Sequence, residues 1–112
     1  MDCLFCKIIA GEIPSKKVYE DETCFAFCDI APQAKTHILL VPKKHIASLA
    51  QAQQEDAALL GHLMLVCAQI AAEHGLDEGF RVVTNVGENG CQSVRHLHLH
   101  ILSGEKLSEK MS

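Results

Sequence analysis

No apolar run in this chain of 112 residues reaches the ~20 residues that a membrane-spanning helix needs. The opening Met1-Asp2 does not begin as a signal peptide begins. A basic stripe is missing too: 10 Lys and Arg stand against 14 Asp and Glu, for a net charge of −4. That balance speaks against a nucleic-acid-binding surface. It leaves room for a small anionic ligand, because a phosphate site is built locally. There is no Gly-Lys-Ser/Thr after a glycine loop and no dinucleotide fingerprint, so neither a Walker loop nor a Rossmann turn is present. Without an internal repeat or a linker, the expectation is one domain over residues 1–112, with 105–112 a flexible tail.

What is present describes a globular protein. Hydrophobic residues make up 48% of the chain and charges of both signs are mixed through it. A chain of this length buries roughly 65% of its unfolded surface, enough for a core without disulfides. The expected compartment is a reducing cytoplasm. There the six cysteines are thiols or metal ligands, not crosslinks.

The dominant stretch is His96-Leu97-His98-Leu99-His100-Ile101. Imidazoles alternate with branched aliphatics at a period of two, which on a strand sends the histidines to one face and the aliphatics to the other. The aliphatic face can be buried while the imidazole face opens to a site. Three imidazoles spaced roughly 6–7 Å apart can hold a metal, supply a nucleophile with support, or titrate near neutral pH. An ordinary strand with a polar solvent face is the alternative.

Ahead of this strand lie weaker signals. Cys3-Leu-Phe-Cys6 is half of a metal site, lacking two ligands. The apolar run Cys3 to Ala10, closed by Gly11, predicts a brief helix. A strand is expected at Lys17 to Glu20, a turn at Asp21-Glu22, and strands at Thr23 to Asp29 and Thr36 to Val41. The second of these puts Phe25, Phe27 and Asp29 on one side and Cys24, Ala26 and Cys28 on the other. Ser48 and Gln51 have capping-box spacing. A helix from about Gln53 to His74 follows, with Leu60, Leu63, Met64, Cys67, Ile70 and Ala71 on its stripe and Gly75 as its stop. Leu59, Leu65 and Val66 widen the apolar face, which suggests a second packing partner. A strand at Phe80 to Asn85 and the glycine loop from Gly87 to Val94 lead into the histidines. Such a loop can offer N–H groups to an anion, or be a plain turn.

His96-Leu-His-Leu-His100-Ile-Leu102 fits the pattern His-φ-His-φ-His-φ-φ, where φ is apolar. Together with Ile8-Ile-Ala-Gly-Glu-Ile-Pro14, Phe27-Cys-Asp-Ile-Ala-Pro-Gln33, Pro42-Lys-Lys-His-Ile46 and Gln92-Ser-Val94, it makes the chain resemble the histidine-triad (HIT) nucleotide-binding family, in its small Hint-like branch. The resemblance implies an α+β fold: a twisted antiparallel sheet of about five strands, one long helix and a short N-terminal helix, dimerised through a continuous sheet. It implies cleavage of a nucleoside monophosphate, purine by expectation, from phosphoramidates, dinucleoside polyphosphates or related adenylates. His98 would be the nucleophile, with His37, His96 and His100 as supporting imidazoles. Asn85, Gln92 and Ser93 match phosphate and leaving-group contacts, and Asp29 matches the ribose-holding carboxylate. Leu4, Phe5, Ile8, Phe27 and Ile30 match the slot for the base.

Some bacterial-type members hold a zinc through positions matching Cys3, Cys6, His45 and His96. Four protein ligands would make such a zinc structural. The chain departs from the family at Cys91, where a second glycine of the phosphate loop is usual, and in lacking the Trp-Pro segment of a Hint-like C-terminus. Two other readings stay open from the sequence: a purine-nucleotide-binding regulatory or partner-binding protein, and a plain zinc-binding module.

Overall fold

The structure, a computed structural model, describes residues 3–110; the ends of the expected domain and tail, at 1–2 and 111–112, lie outside the described residues. Five antiparallel strands form one open sheet in the order β1-β2-β3-β5-β4. They are β1 (Lys17–Glu20), β2 (Cys24–Cys28), β3 (Thr36–Pro42), β4 (Arg81–Val83) and β5 (Leu99–Ser103). A short helix α1 (Leu4–Ile9) precedes the sheet and a long helix α2 (Ala57–Glu73) crosses between β3 and β4. The α+β architecture expected from the sequence is thus present.

An antiparallel sheet with one wet face should alternate polar and apolar residues. β2 and β3 instead read Cys-Phe-Ala-Phe-Cys and Thr-His-Ile-Leu-Leu-Val-Pro, and are buried along almost their whole length. The reason is that both faces are covered. Cys24, Ala26, Ile38, Leu40, Leu97, Leu99 and Ile101 pack with Leu63, Val66, Cys67 and Ile70 of α2. Phe25, Phe27, Leu39 and Val41 pack on the other face with Cys3, Phe5 and Ile8 at α1. The sidedness expected for Phe25 and Phe27 against Cys24 and Ala26 therefore holds.

α2 buries Leu63, Val66, Cys67, Ile70 and Ala71, an i, i+3, i+4, i+7, i+8 stripe. Leu63, Cys67, Ile70 and Ala71 of the expected stripe are in it, but Met64 is 55% exposed and Val66, expected only on the widened face, is 1% exposed. Periodicity alone could not choose between neighbouring stripes on a helix with so many apolar positions. The helix also begins later than Gln53. A 3-10 turn at Gln54–Asp56 leads into it, because Asp56 Oδ2 takes the Gln53 N–H at 2.8 Å while Lys44 holds Oδ1 at 2.6 Å. Gly75, at φ +67°, ends it as expected. By length and composition Gln54–Glu73 would suit a bilayer; here one side of it packs on the sheet.

β5 starts at Leu99, not at His96, and β4 is shorter than Phe80 to Asn85. Thr36–Leu40 pairs with Ser103–Leu99 and Arg81–Val83 with Leu102–His100. Beyond Leu40 the ladder stops because Pro42 has no N–H to donate. Its carbonyl bonds the His96 ring instead, and the Leu97 N–H goes to Ile46 O at 2.6 Å. The side chains still alternate through this stretch: Leu97 faces α2, while His96 and His98 lie against Phe5.

Candidate active site and metal-ligating cluster

The imidazole face does not open uniformly to solvent. His96 is fully buried and His98 is 2% exposed, since α1 closes over both. The three histidines serve different neighbours. His96 joins a sulfur–nitrogen cluster, His100 joins His37, and His98 stands between them.

Ring tautomers follow from fixed acceptors and donors. His98 Nδ1 lies 2.7 Å from the His96 carbonyl, so its proton is on Nδ1 and the lone pair is on Nε2. The Thr84 hydroxyl donates to the His98 carbonyl at 2.8 Å and steadies the same residue. His37 Nδ1 accepts the Gln33 N–H at 2.9 Å, which puts the proton on Nε2. That Nε2–H donates to His100 Nδ1 at 2.8 Å, and Asp29 Oδ2 lies 3.4 Å from the same nitrogen. The His100 proton is then on its own Nε2. Burial lowers the pKa of His37, with Asp29 opposing. Burial, helped by the neighbouring His98 and His37, pushes His100 down to about 4. The His37–His100 pair is therefore neutral near pH 7, with the His100 Nε2–H left to donate beyond it.

The glycine loop is braced by the side chains singled out in it. Asn85 Nδ2 donates to Gly90 O at 2.7 Å. Gln92 Nε2 donates to Ala47 O at 2.6 Å and Val94 O at 2.9 Å, while its Oε1 accepts the Gly87 N–H at 3.0 Å. Ser93 is exposed at the loop's end. Cys91 is exposed and has φ +61°, the left-handed conformation that suits the glycine it replaces. Gly90 has no such latitude, because a Cβ there would run into the Val86 carbonyl. Asp29 Oδ1 accepts the Ala31 N–H at 2.8 Å, which folds the chain after β2 and presents the carboxylate beside His37.

Of the expected base slot, Phe5, Ile8 and Phe27 are buried together, the two phenyl rings edge to face at 5.6 Å. Leu4 is 45% exposed and Ile30 fully exposed. A cavity of about 870 Å³ adjoins the triad, lined by His37, His100, Arg81, Asn85, Gly90 and Cys91 among others. Sequence reasoning missed Arg81, Thr84, and the main-chain groups of Gln33 and Pro42. Main-chain partners leave no residue signal, and Arg81 only becomes notable once β4 is placed beside His100.

Cys3 Sγ, Cys6 Sγ, His45 Nδ1 and His96 Nδ1 all lie within 4.8 Å of one another. Cys3 Sγ and His45 Nδ1 are each 3.2 Å from His96 Nδ1, and Cys6 Sγ is 3.4 Å from His45 Nδ1. His96 Nε2–H donates to Pro42 O at 2.8 Å, which leaves its Nδ1 lone pair for the cluster. Burial, then Cys3, raises the Cys6 thiol to about 11. Ligand atoms bound at 2.0–2.3 Å around a tetrahedral ion sit about 3.3–3.8 Å apart, so these four residues could hold a metal ion. The resemblance gathered the same four.

Comparison with known proteins agrees with this architecture. The HIT domain model matches residues 10–107. A HIT-like protein of Synechococcus elongatus, itself uncharacterised, is 54% identical over 96% of this chain and 94% of its own. A HIT family hydrolase from Legionella pneumophila superposes with a TM-score of 0.96 at 44% identity, over 99% of this chain and all of that one. A histidine triad nucleotide-binding protein from Candida albicans gives a TM-score of 0.81 at 36% identity, covering 89% of this chain and 73% of the other. The chain belongs to the HIT domain family.

Proposed function

We propose that this protein is a nucleotidyl hydrolase or transferase that cleaves a purine nucleoside monophosphate from phosphoramidate, dinucleoside polyphosphate or related adenylate substrates. One observation carries the reading: the His96 carbonyl holds the His98 ring with its lone pair on Nε2. In the first step Nε2 bonds to the α-phosphorus and the bond to the leaving group breaks, its electron pair departing with that group. Ser93 orients or protonates it. In the second step water attacks phosphorus and gives up one proton, which restores the one passed to the leaving group; the P–Nε2 bond breaks with its electron pair returning to Nε2, and His98 is regenerated. The His37–His100 pair, itself neutral near pH 7, stands beside the nucleophile, with the His98 and His100 rings 5.0 Å apart. Asn85, Gln92 and Cys91 shape the loop whose N–H groups face the phosphate oxygens. Asp29 holds the ribose hydroxyls. Leu4, Phe5, Ile8, Phe27 and Ile30 form the base slot, and the full exposure of Ile30 fits a side chain that a flat base would cover.

The reading includes a structural zinc on Cys3, Cys6, His45 and His96. When bound it supplies a crosslink between α1 and the segment leading to β5. It includes a cytoplasmic homodimer with a continuous sheet. All six cysteines are unpaired, which suits a reducing compartment. The edge strand β4 is the better pairing edge, since β1 carries Lys17 and Glu20.

The test is turnover of an adenosine phosphoramidate and of a diadenosine polyphosphate by the unaltered chain and by His98→Ala, with a rapid quench and mass analysis. A nucleoside monophosphate on His98, absent from the variant, is expected. An adduct on another residue, or full turnover by His98→Ala, overturns the mechanism. Nucleotide binding without turnover would favour a regulatory binding protein instead.

A further inference from the structure

The cavity beside the triad contains a charge that the nucleotidyl chemistry above does not use. Arg81 is the one lysine or arginine among its lining residues. The register of the sheet explains its position. Arg81 pairs with Leu102 on β5 and Val83 pairs with His100, so the two β4 side chains that face the cavity sit at the end of the His37–His100 relay. Arg81 makes no ion pair among the described residues, although its protein carries an excess of acid. Its Nη2 instead donates to the backbone carbonyl of Ser108, in the C-terminal segment that forms one wall of the cavity with Leu107. The guanidinium is therefore turned to an oxygen acceptor at the cavity wall. It has five N–H donors, and a single carbonyl leaves most of them available.

The opposite side of the triad is apolar. Phe5 packs edge to face on His98 at 5.0 Å and belongs to the buried cluster with Phe27. No α1 residue lines the cavity. A nucleotide whose base lies toward α1 and whose phosphorus meets His98 must send its leaving group toward the cavity and hence toward Arg81.

We infer that Arg81 is a specificity-determining residue that selects leaving groups carrying negative charge, such as phosphate chains or carboxylates, over neutral or cationic amines. This rests on the nucleotidyl-transfer reading of the site. A guanidinium takes phosphate or carboxylate oxygens in pairs and stays charged at every working pH, whereas His37 and His100 are neutral near pH 7. Arg81 is thus the fixed positive end of the cavity, and the Ser108 carbonyl marks where an incoming oxygen can dock.

The experiment compares two adenosine substrates on the full chain: a diadenosine polyphosphate, whose leaving group is anionic, and a phosphoramidate of a neutral amine. The quantity read is the ratio of their kcat/KM values. Arg81→Gln is expected to lower that ratio roughly 10- to 100-fold, the range for a hydrogen bond to a charged group, while Arg81→Lys, which keeps the charge but not the paired donors, falls between the two. Raising the salt concentration should lower the ratio in the unaltered chain and leave it flat in Arg81→Gln. Equal losses on both substrates, with the ratio intact, would mean a structural role and overturn the inference while sparing the parent reading. Turnover of neither substrate by the unaltered chain overturns both.

Discussion

Among individual residues, Cys91 and His100 store energy that can be measured. Cys91 sits at φ +61° with its side chain exposed. A non-glycine residue there costs about 1–2 kcal/mol, of which glycine's extra chain entropy returns part. Cys91→Gly is therefore expected to stabilise the fold by roughly 0.5–1 kcal/mol, seen as a higher urea midpoint at an unchanged m-value. His100 falls from its ordinary 6.5 to about 4. Between those values the unfolded chain takes up a proton that the folded site refuses, so stability drops as the pH falls from about 6.5 to about 4 and levels off below, as far as this group is concerned. His37, also lowered, acts in the same direction. Urea unfolding should register a loss of roughly 2–3 kcal/mol over that window, and His100→Gln should make the slope shallower. A flat profile would contradict the neutral pair.

At the level of elements, the buried stripe on α2 gives a clear contrast. Leu63 is 1% exposed and Leu65 is 72% exposed, two positions apart on the same helix. Leu63→Ala should cost roughly 2–5 kcal/mol, the range for emptying a packed site. Leu65→Ala should stay within about 0.5 kcal/mol. Equal costs measured by denaturant unfolding would mean that the outer face is also covered. The hairpin at Asp21 shows a feature that was legible in advance. Asp21-Glu22 predicts a turn, and Asp21 Oδ1 accepts the N–H groups of Thr23 at 2.8 Å and Cys24 at 2.9 Å. The ends of β4 and β5 are not legible in the sequence, because a ladder stops where the facing strand has no group left to pair, as at Pro42, and the two strands lie in different parts of the sequence.

For the whole molecule, the Cys/His cluster joins α1 to the histidine segment and to the turn after β3. If zinc occupies it, strong chelation should lower the Tm and loosen α1. Metal analysis of protein prepared without added metal should give about one zinc per chain. A stoichiometry well below that, or a Tm indifferent to chelator, removes zinc from the account. Sedimentation at several concentrations tests the homodimer proposed through β4.

The local order of residues determined the alternation that divides Leu97, Leu99 and Ile101 from the histidines, because a strand's period of two needs no distant partner. It also determined the turn at Asp21 and the stop at Gly75, which depend on backbone preferences within a few residues. Which imidazole does what was decided only in three dimensions. His96 meets Cys3 across 93 positions and His100 meets His37 across 63. Proton positions on these rings are set by such remote donors and acceptors, and so is the burial that holds His100 neutral.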